Sequence, residues 1–192
     1  MTMKLHRTFA LLSLALAAGC LSPAPKAPVN WTVGPVEAGS VKPIEKKWDS
    51  VRLSRLEVRA PYDGQRLAVL RKDGSLAFDP FNSFAASPTA LLKGAAFDVL
   101  AASGIAGASV EQGSSASAAR SLEITVTQFA LDCRADDEAG KAAVSLTATL
   151  VEGRGIAATS RADATVRVDG GDFTKAFSQA FSQVMQEALR RL

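Results

Sequence analysis

Hydrophobic residues in the second half of the chain alternate with polar ones over three segments. These segments are Leu122 to Leu131 with a one-residue shift after Val126, Val144 to Leu150, and Ala158 to Val168. A period of two is typical of half-buried β-strands. Short turns at 136–141 and 153–155 separate the segments, so we expect a three-stranded antiparallel meander.

The pattern before residue 110 also predicts strands. Residues 50–59 alternate, with one shift of phase between Leu53 and Leu56 that is typical of a β-bulge. A second strand is predicted over 67–71, and Asp73 with Gly74 forms a tight hairpin turn into a third at 76–78. One further short strand is expected within 104–113.

Two segments show the spacing of amphipathic helices. Ser87 as N-cap and Pro88 in the first turn begin the first helix, and Gly104 ends it. The second begins after Asp172 and carries apolar residues at helical spacing up to Leu192, which should cover one face of the sheet. The prediction is an α+β fold in which two main amphipathic helices pack on a single mixed or antiparallel β-sheet.

The first twenty residues have the pattern of a lipoprotein secretory signal. Lys4 and Arg7 precede an apolar run over 9–18, and small residues then lead to Cys20. A run of about ten residues is too short for a permanent transmembrane helix. We therefore predict a signal peptide at 1–19 and a covalent lipid such as palmitate on the thiol of Cys20.

The alternative is a plain signal peptide cut after Ala18 or Gly19, with Cys20 incidental. Ala17 stands where the usual lipoprotein box has Leu. The pattern nevertheless resembles a bacterial lipoprotein signal over its full length. In the sorting rule known for such lipoproteins, Leu21 rather than Asp after the cysteine implies the outer membrane.

Residues 20–47 contain five of the eight prolines of the chain, which predicts an irregular, extended tether. Its large apolar groups are Trp31 and Val33, with Trp48 just beyond. We expect these to dock the tether on the chain's own domain or on a neighbouring copy. The remaining residues, 48–192, are expected to form a single α/β periplasmic domain.

Composition narrows the function classes. Loss of Lys4 and Arg7 with the signal leaves 20 of the 22 basic residues against 19 acidic ones, a net charge of about +1. The basic residues are scattered, so no nucleic-acid partner is expected. The single histidine, His6, lies in the signal, and no metal or cofactor motif occurs. We therefore expect neither an enzyme nor a metal or cofactor beyond the lipid on Cys20.

One cysteine and one aromatic segment remain. Cys133 has no disulfide partner if Cys20 is acylated, so it is expected to be buried or to pair with another molecule. Phe78, Phe81 and Phe84 recur every three residues before the first helix. They form either a ligand-binding rim or part of the core or a subunit interface.

These pieces together resemble the auxiliary lipoprotein family of ABC-type transport systems, of the paraquat-inducible C type that accompanies mammalian-cell-entry (MCE) proteins. The resemblance runs through nearly the whole chain after the signal. It is carried by the lipobox, the aromatic tether motif at 31–33, the hairpin at 71–76, the aromatic segment at 81–85 and the segment at 126–134. Phe84 stands where the family usually has Trp, and Val33 where it usually has Leu.

The resemblance implies a lipid-anchored protein on the periplasmic face of the outer membrane. Its partners would be an MCE-domain protein and ABC transporter subunits that move lipids between the two membranes, and copies would form a homo-oligomeric ring. The domain would dock on or cap the conduit, with Trp31, Phe78, Phe81 and Phe84 as candidate partner or lipid contacts. The alternatives are a lipid-binding carrier and a structural envelope-assembly lipoprotein not tied to a transporter.

Overall fold

The computed structural model describes residues 27–35, 39–135 and 140–192, and Cys20 with the signal-like segment lies outside them. The described residues form two helices and an eight-stranded sheet. The strands are β1 (Val29–Trp31), β2 (Trp48–Val58), β3 (Arg66–Leu70), β4 (Leu76–Phe84), β5 (Ala106–Val110), β6 (Arg120–Asp132), β7 (Lys141–Glu152) and β8 (Gly155–Arg167). The helices are α1 (Pro88–Ser103) and α2 (Phe173–Arg191). The predicted α+β class with one sheet is confirmed.

Strand β6 is the centre of the sheet. β7 pairs antiparallel with it from Arg120 to Asp132, and β8 pairs antiparallel with β7, as the meander prediction required. The other edge of β6 has two parallel partners, β2 beside its first half and β3 beside its end. β5 extends the sheet beyond β2, while β4 and then β1 extend it beyond β3. The sheet is therefore mixed.

Both predicted shifts of phase are irregularities of strand pairing. The register of β2 on β6 shifts between Leu53 and Arg55, and that of β6 on β7 shifts between Val126 and Gln128. Each shift lets a strand keep its apolar side chains on one face although its sequence changes phase.

Both helices begin where the sequence predicts. The hydroxyl of Ser87 accepts the N–H of Ala90, and the carboxylate of Asp172 accepts the N–H of Lys175 at 2.9 Å. Gly104 ends α1 with a left-handed φ of 68°, a conformation that glycine adopts without a Cβ penalty.

The core lies between these helices and one face of the sheet. α1 packs on β2 and β5, and α2 packs on β7 and β8. Phe84, Phe129 and Phe177 meet at the centre, with ring centroids 4.7 to 5.4 Å apart. The opposite face of the meander carries half-exposed polar residues such as Glu123 and Thr147.

Strand β4 runs further than predicted, through Phe84 instead of ending at Phe78. Its pairing with β3 jumps from Phe78 opposite Ala68 to Ser83 opposite Arg66, so the residues between form a wide bulge. Pro80 lies in this bulge and has no N–H for the ladder. Because Pro80 breaks the strand pattern of the sequence, the prediction ended the strand at 78, whereas the chain continues as a strand to Phe84.

The described part of the predicted tether packs on the body, which is the first of the two arrangements expected for it. β1 pairs in parallel with the last residues of β4, from Val29 opposite Asn82 onward. Val33 and Val41 are buried in the core. Further along, the N–H of Ile44 donates to the carbonyl of Ser103 at the end of α1, and the N–H of Lys47 donates to the carbonyl of Ile105 just before β5.

We call residues 39–47 the docked segment. Gln186 of α2 binds the middle of this segment. Its Oε1 accepts the N–H of Lys42 at 2.9 Å, and its Nε2 donates to the carbonyl of Ser40 at 3.3 Å. Gln186 is 6% exposed. Because both backbone groups find their partner on one buried amide, the docked segment follows the body and does not extend freely from it.

Candidate functional site

The bulge in β4 is closed by its own carboxylate. Asp79 Oδ1 accepts the N–H groups of Phe81 and Asn82 at 2.7 and 2.9 Å, and Asp79 Oδ2 accepts Asn82 Nδ2 at 3.0 Å. These bonds satisfy backbone donors that the strand ladder does not reach. The bulge is therefore a defined turn within the strand.

Trp31 joins β1 to this bulge. Its indole Nε1 donates to Asn82 Oδ1 at 2.8 Å, and its ring meets that of Phe173 edge-on with centroids 5.0 Å apart. The side chain is half-buried. Trp31 thus fixes β1 at the edge of the sheet.

The three phenylalanines separate into two environments. Phe84 is 3% exposed and belongs to the core, as the second of the two interpretations proposed. Phe78 and Phe81 are 42% and 41% exposed, at the edge of the sheet. The bulge separates Phe81 from the regular alternation of β4, which is why a spacing of three does not place all three rings together.

Two cavities lie near the ends of the sheet and beside α2. The larger of these two has a volume of about 560 Å³ and lies between Gly34, Ser40 and the side of α2. Its α2 wall is mostly polar and consists of Asp172, Thr174, Lys175, Ser178, Gln179, Ser182, Gln183 and Gln186. Neither cavity is lined by Phe78 or Phe81. The groove therefore presents hydrogen-bonding side chains along one wall.

The pKa values of Asp132 and Cys133 are shifted near the end of β6. The Arg134 guanidinium donates to the Asp132 carboxylate at 2.7 Å and holds its pKa below the usual 3.8. Burial raises the pKa of the half-buried Cys133 thiol above its usual value, and the Asp132 charge adds to this effect. A thiol with a raised pKa is a weak nucleophile at neutral pH.

Within 27–35, 39–135 and 140–192, no group of three or more His, Cys, Asp or Glu side chains is placed to hold a metal ion. Neither α1 nor α2 is long and apolar enough to cross a bilayer.

The sequence model of one protein family, the ABC-type transport auxiliary lipoprotein component, matches residues 34–189. The chain belongs to this family. The resemblance expected from the sequence is thereby confirmed, and this family member is an auxiliary lipoprotein component of ABC-type transport. The match begins inside the N-terminal region that packs on the body and ends in α2.

Two solved structures have the same fold. Protein XCC0632 from Xanthomonas campestris is 18% identical, with a TM-score of 0.58 over 85% of this family member and 89% of that chain. The crystal structure of an uncharacterized protein is 12% identical, with a TM-score of 0.62 over 84% and 98%. The PelC dodecamer from Paraburkholderia phytofirmans is 16% identical, with a TM-score of 0.45 over 84% and 95%. Among curated proteins, none matches the sequence significantly.

Sequence reasoning did not find two polar groups that organise this region. Asp79 closes the bulge, and the signal for it was the Asp-Pro pair, a typical turn initiator, inside an aromatic segment. Gln186 holds the docked segment, and its signal was an amide directly after the apolar Val184 and Met185 of α2. Cys20 and most of the turn predicted at 136–141 lie outside the described residues.

Proposed function

We propose that the protein is anchored through a lipid on Cys20 to the periplasmic face of the outer membrane. There it serves an ABC/MCE-type intermembrane lipid transport system as a docking or capping subunit. The observation that carries the proposal is the family match over 34–189, joined to a lipoprotein-like signal that ends at Cys20. Leu21 after the cysteine supports the outer membrane as destination.

The protein acts by position and not by catalysis. The single histidine of the sequence lies in the signal, so the anchored chain has no imidazole for acid–base work. Trp31 and Gln186 bind the N-terminal segment to the folded domain. These contacts make the position of the domain depend on the position of the anchor. Docking on an MCE-domain protein or on transporter subunits needs such a rigid link.

Copies of the chain assemble as a ring in this proposal. The strands β1, β5 and β8 each pair on one side only within the described sheet. An unpaired strand edge presents free N–H and C=O groups to a neighbouring chain. Native mass spectrometry of the purified anchored protein tests the ring, and a monomer at physiological concentration would contradict it.

The anchor is tested by feeding cells an alkyne fatty acid and separating their membranes on a density gradient. The wild-type protein should carry label and sediment with the outer membrane. The Cys20→Ala variant should carry none and leave the membrane fraction. Label on the Cys20→Ala chain, or wild-type protein in the inner membrane, would contradict the proposal.

The partner is tested by affinity purification from membranes in gentle detergent. Subunits of an ABC transporter and an MCE-domain protein should copurify with the wild-type protein. Recovery of neither class would count against the transport role and favour the structural envelope lipoprotein. The lipid-carrier alternative predicts phospholipid bound to the purified domain.

A further inference from the structure

Exposed large apolar side chains concentrate at one edge of the sheet. Among the described residues four are exposed: Val29 (38%), Phe78 (42%), Phe81 (41%) and Ile156 (72%). The first three lie on the adjacent strands β1 and β4, and we call them the edge patch. Ile156 lies apart, at the hairpin between β7 and β8.

The exposure of Phe81 is built into the backbone. Two backbone N–H groups and the Asn82 amide bond to the Asp79 carboxylate, and Asn82 in turn accepts the indole N–H of Trp31. Turning the backbone at Phe81 inward would break the bond from its own N–H to Asp79. The surrounding hydrogen bonds therefore hold the backbone in a conformation that leaves the Phe81 ring exposed. An exposed aromatic ring on a fixed backbone is typical of a surface that binds another molecule or a membrane.

The path of the chain indicates what this contact is. β1 begins at Val29, which pairs with Asn82 of the bulge, so the nine residues 20–28 connect Cys20 directly to the edge patch. At 3.3–3.6 Å per residue they reach about 30 Å at most. The docked segment is bonded to Gln186 and adds nothing to this reach. A lipid on Cys20 therefore keeps the edge patch close to the bilayer.

The remaining exposed residue lies at the far end of the body. β3, which carries β4 and β1, pairs with β6 at Leu131 and Asp132, whereas the β7–β8 hairpin lies beside Arg120. Counted along β6, Ile156 lies level with Ser121 and Phe78 lies level with Ala130, so about 30 Å separates them at 3.3 Å per residue. Ile156 thus serves as an internal control for the edge patch.

We propose that the edge patch is a second membrane contact, with Phe78 and Phe81 entering the headgroup region of the bilayer that holds the lipid of Cys20. This inference rests on the anchor of the proposed function. Aromatic and apolar side chains at that depth add to a covalent lipid, and two such signals hold a protein more firmly than one. The contact also sets an orientation, because it directs the β7–β8 hairpin away from the membrane.

Fluorescence depth measurements test the contact on the full lipidated chain. Cys133→Ser removes the free thiol, and Phe81→Cys or Ile156→Cys provides one site for an environment-sensitive NBD label. The proteins are reconstituted in phosphatidylethanolamine/phosphatidylglycerol vesicles with and without doxyl-labelled lipid. We expect a blue shift and loss of emission for the label at position 81 and neither change at position 156.

Several results would overturn the contact. Equal emission and equal quenching at both positions would place the edge patch in water. Self-quenching at position 81 that disappears on dilution with unlabelled protein would assign the patch to a second copy of the chain. Phe78→Cys provides an independent reading should the label at position 81 disturb the bulge.

The outcomes separate this inference from the proposed function. Intact-mass measurement of the same samples reports the acyl chain on Cys20, and its absence would remove the anchor and the contact together. Label depth in pure vesicles does not depend on a transporter. A shallow label on an acylated chain would therefore refute the contact and leave the transport role standing.

Discussion

Replacing Gln186 by leucine should weaken the docking of residues 39–47 while the core stays packed, because leucine is similar in size to glutamine. The change removes the acceptor of the Lys42 N–H and the donor to the Ser40 carbonyl. At about 1 kcal/mol for each lost hydrogen bond, docking weakens by about 2 kcal/mol. This corresponds to roughly a 30-fold smaller docking equilibrium constant.

Hydrogen exchange of the Lys42 amide measures this equilibrium directly. Its protection should fall by roughly 30-fold in Gln186→Leu. Gln183→Ala alters an exposed residue of the same helix and should change nothing. Unchanged Lys42 exchange in Gln186→Leu would refute the view that this amide holds the segment.

Three further changes test the body. Gly140→Ala should lower the free energy of unfolding by about 2–4 kcal/mol in thermal unfolding, because φ is +68° and the new Cβ would lie 2.9 Å from Cys133 Sγ. Gly153→Ala is the control. Gly153 also has a positive φ but has free space around it, so this change should cost about 1 kcal/mol. Phe177→Ala should cost about 3–5 kcal/mol in urea unfolding, and a loss below about 1 kcal/mol would contradict the packed aromatic centre. Asp132→Asn should cost less than about 1 kcal/mol at neutral pH, since its Arg134 partner is half-exposed. Because the folded-state pKa is lowered, this contribution is present above pH 3.8 and disappears as the pH falls through the lowered value, so an equal cost in strong acid would contradict it.

The helices and the meander strands could be predicted from the sequence because an element that buries one face has apolar residues at a regular spacing. The meander of β6 to β8 and both helix starts follow from alternation, helical spacing and the caps Ser87 and Asp172. Both strand irregularities were visible as shifts of phase. In each case the signal is local to the element that forms.

The pairing of distant segments could not be predicted in the same way. The contacts of Trp31 with Asn82 and of Lys42 with Gln186 join residues 51 and 144 positions apart. No local spacing encodes such partners. The exposed site was hidden for a related reason, since a spacing of three suggested one environment for Phe78, Phe81 and Phe84 before the Asp79 turn was known to separate them.

Photo-crosslinking in living cells tests the transport role most directly, because it captures partners at the membrane without detergent. A photoreactive side chain is placed at one position at a time: Thr147 on the helix-free face of the sheet, Ile156 at the β7–β8 hairpin, and Lys93 on α1. The account predicts a crosslink to an ABC-type transport subunit or an MCE-domain protein from at least one of these positions. Crosslinks from all three positions only to proteins outside such a system would contradict it.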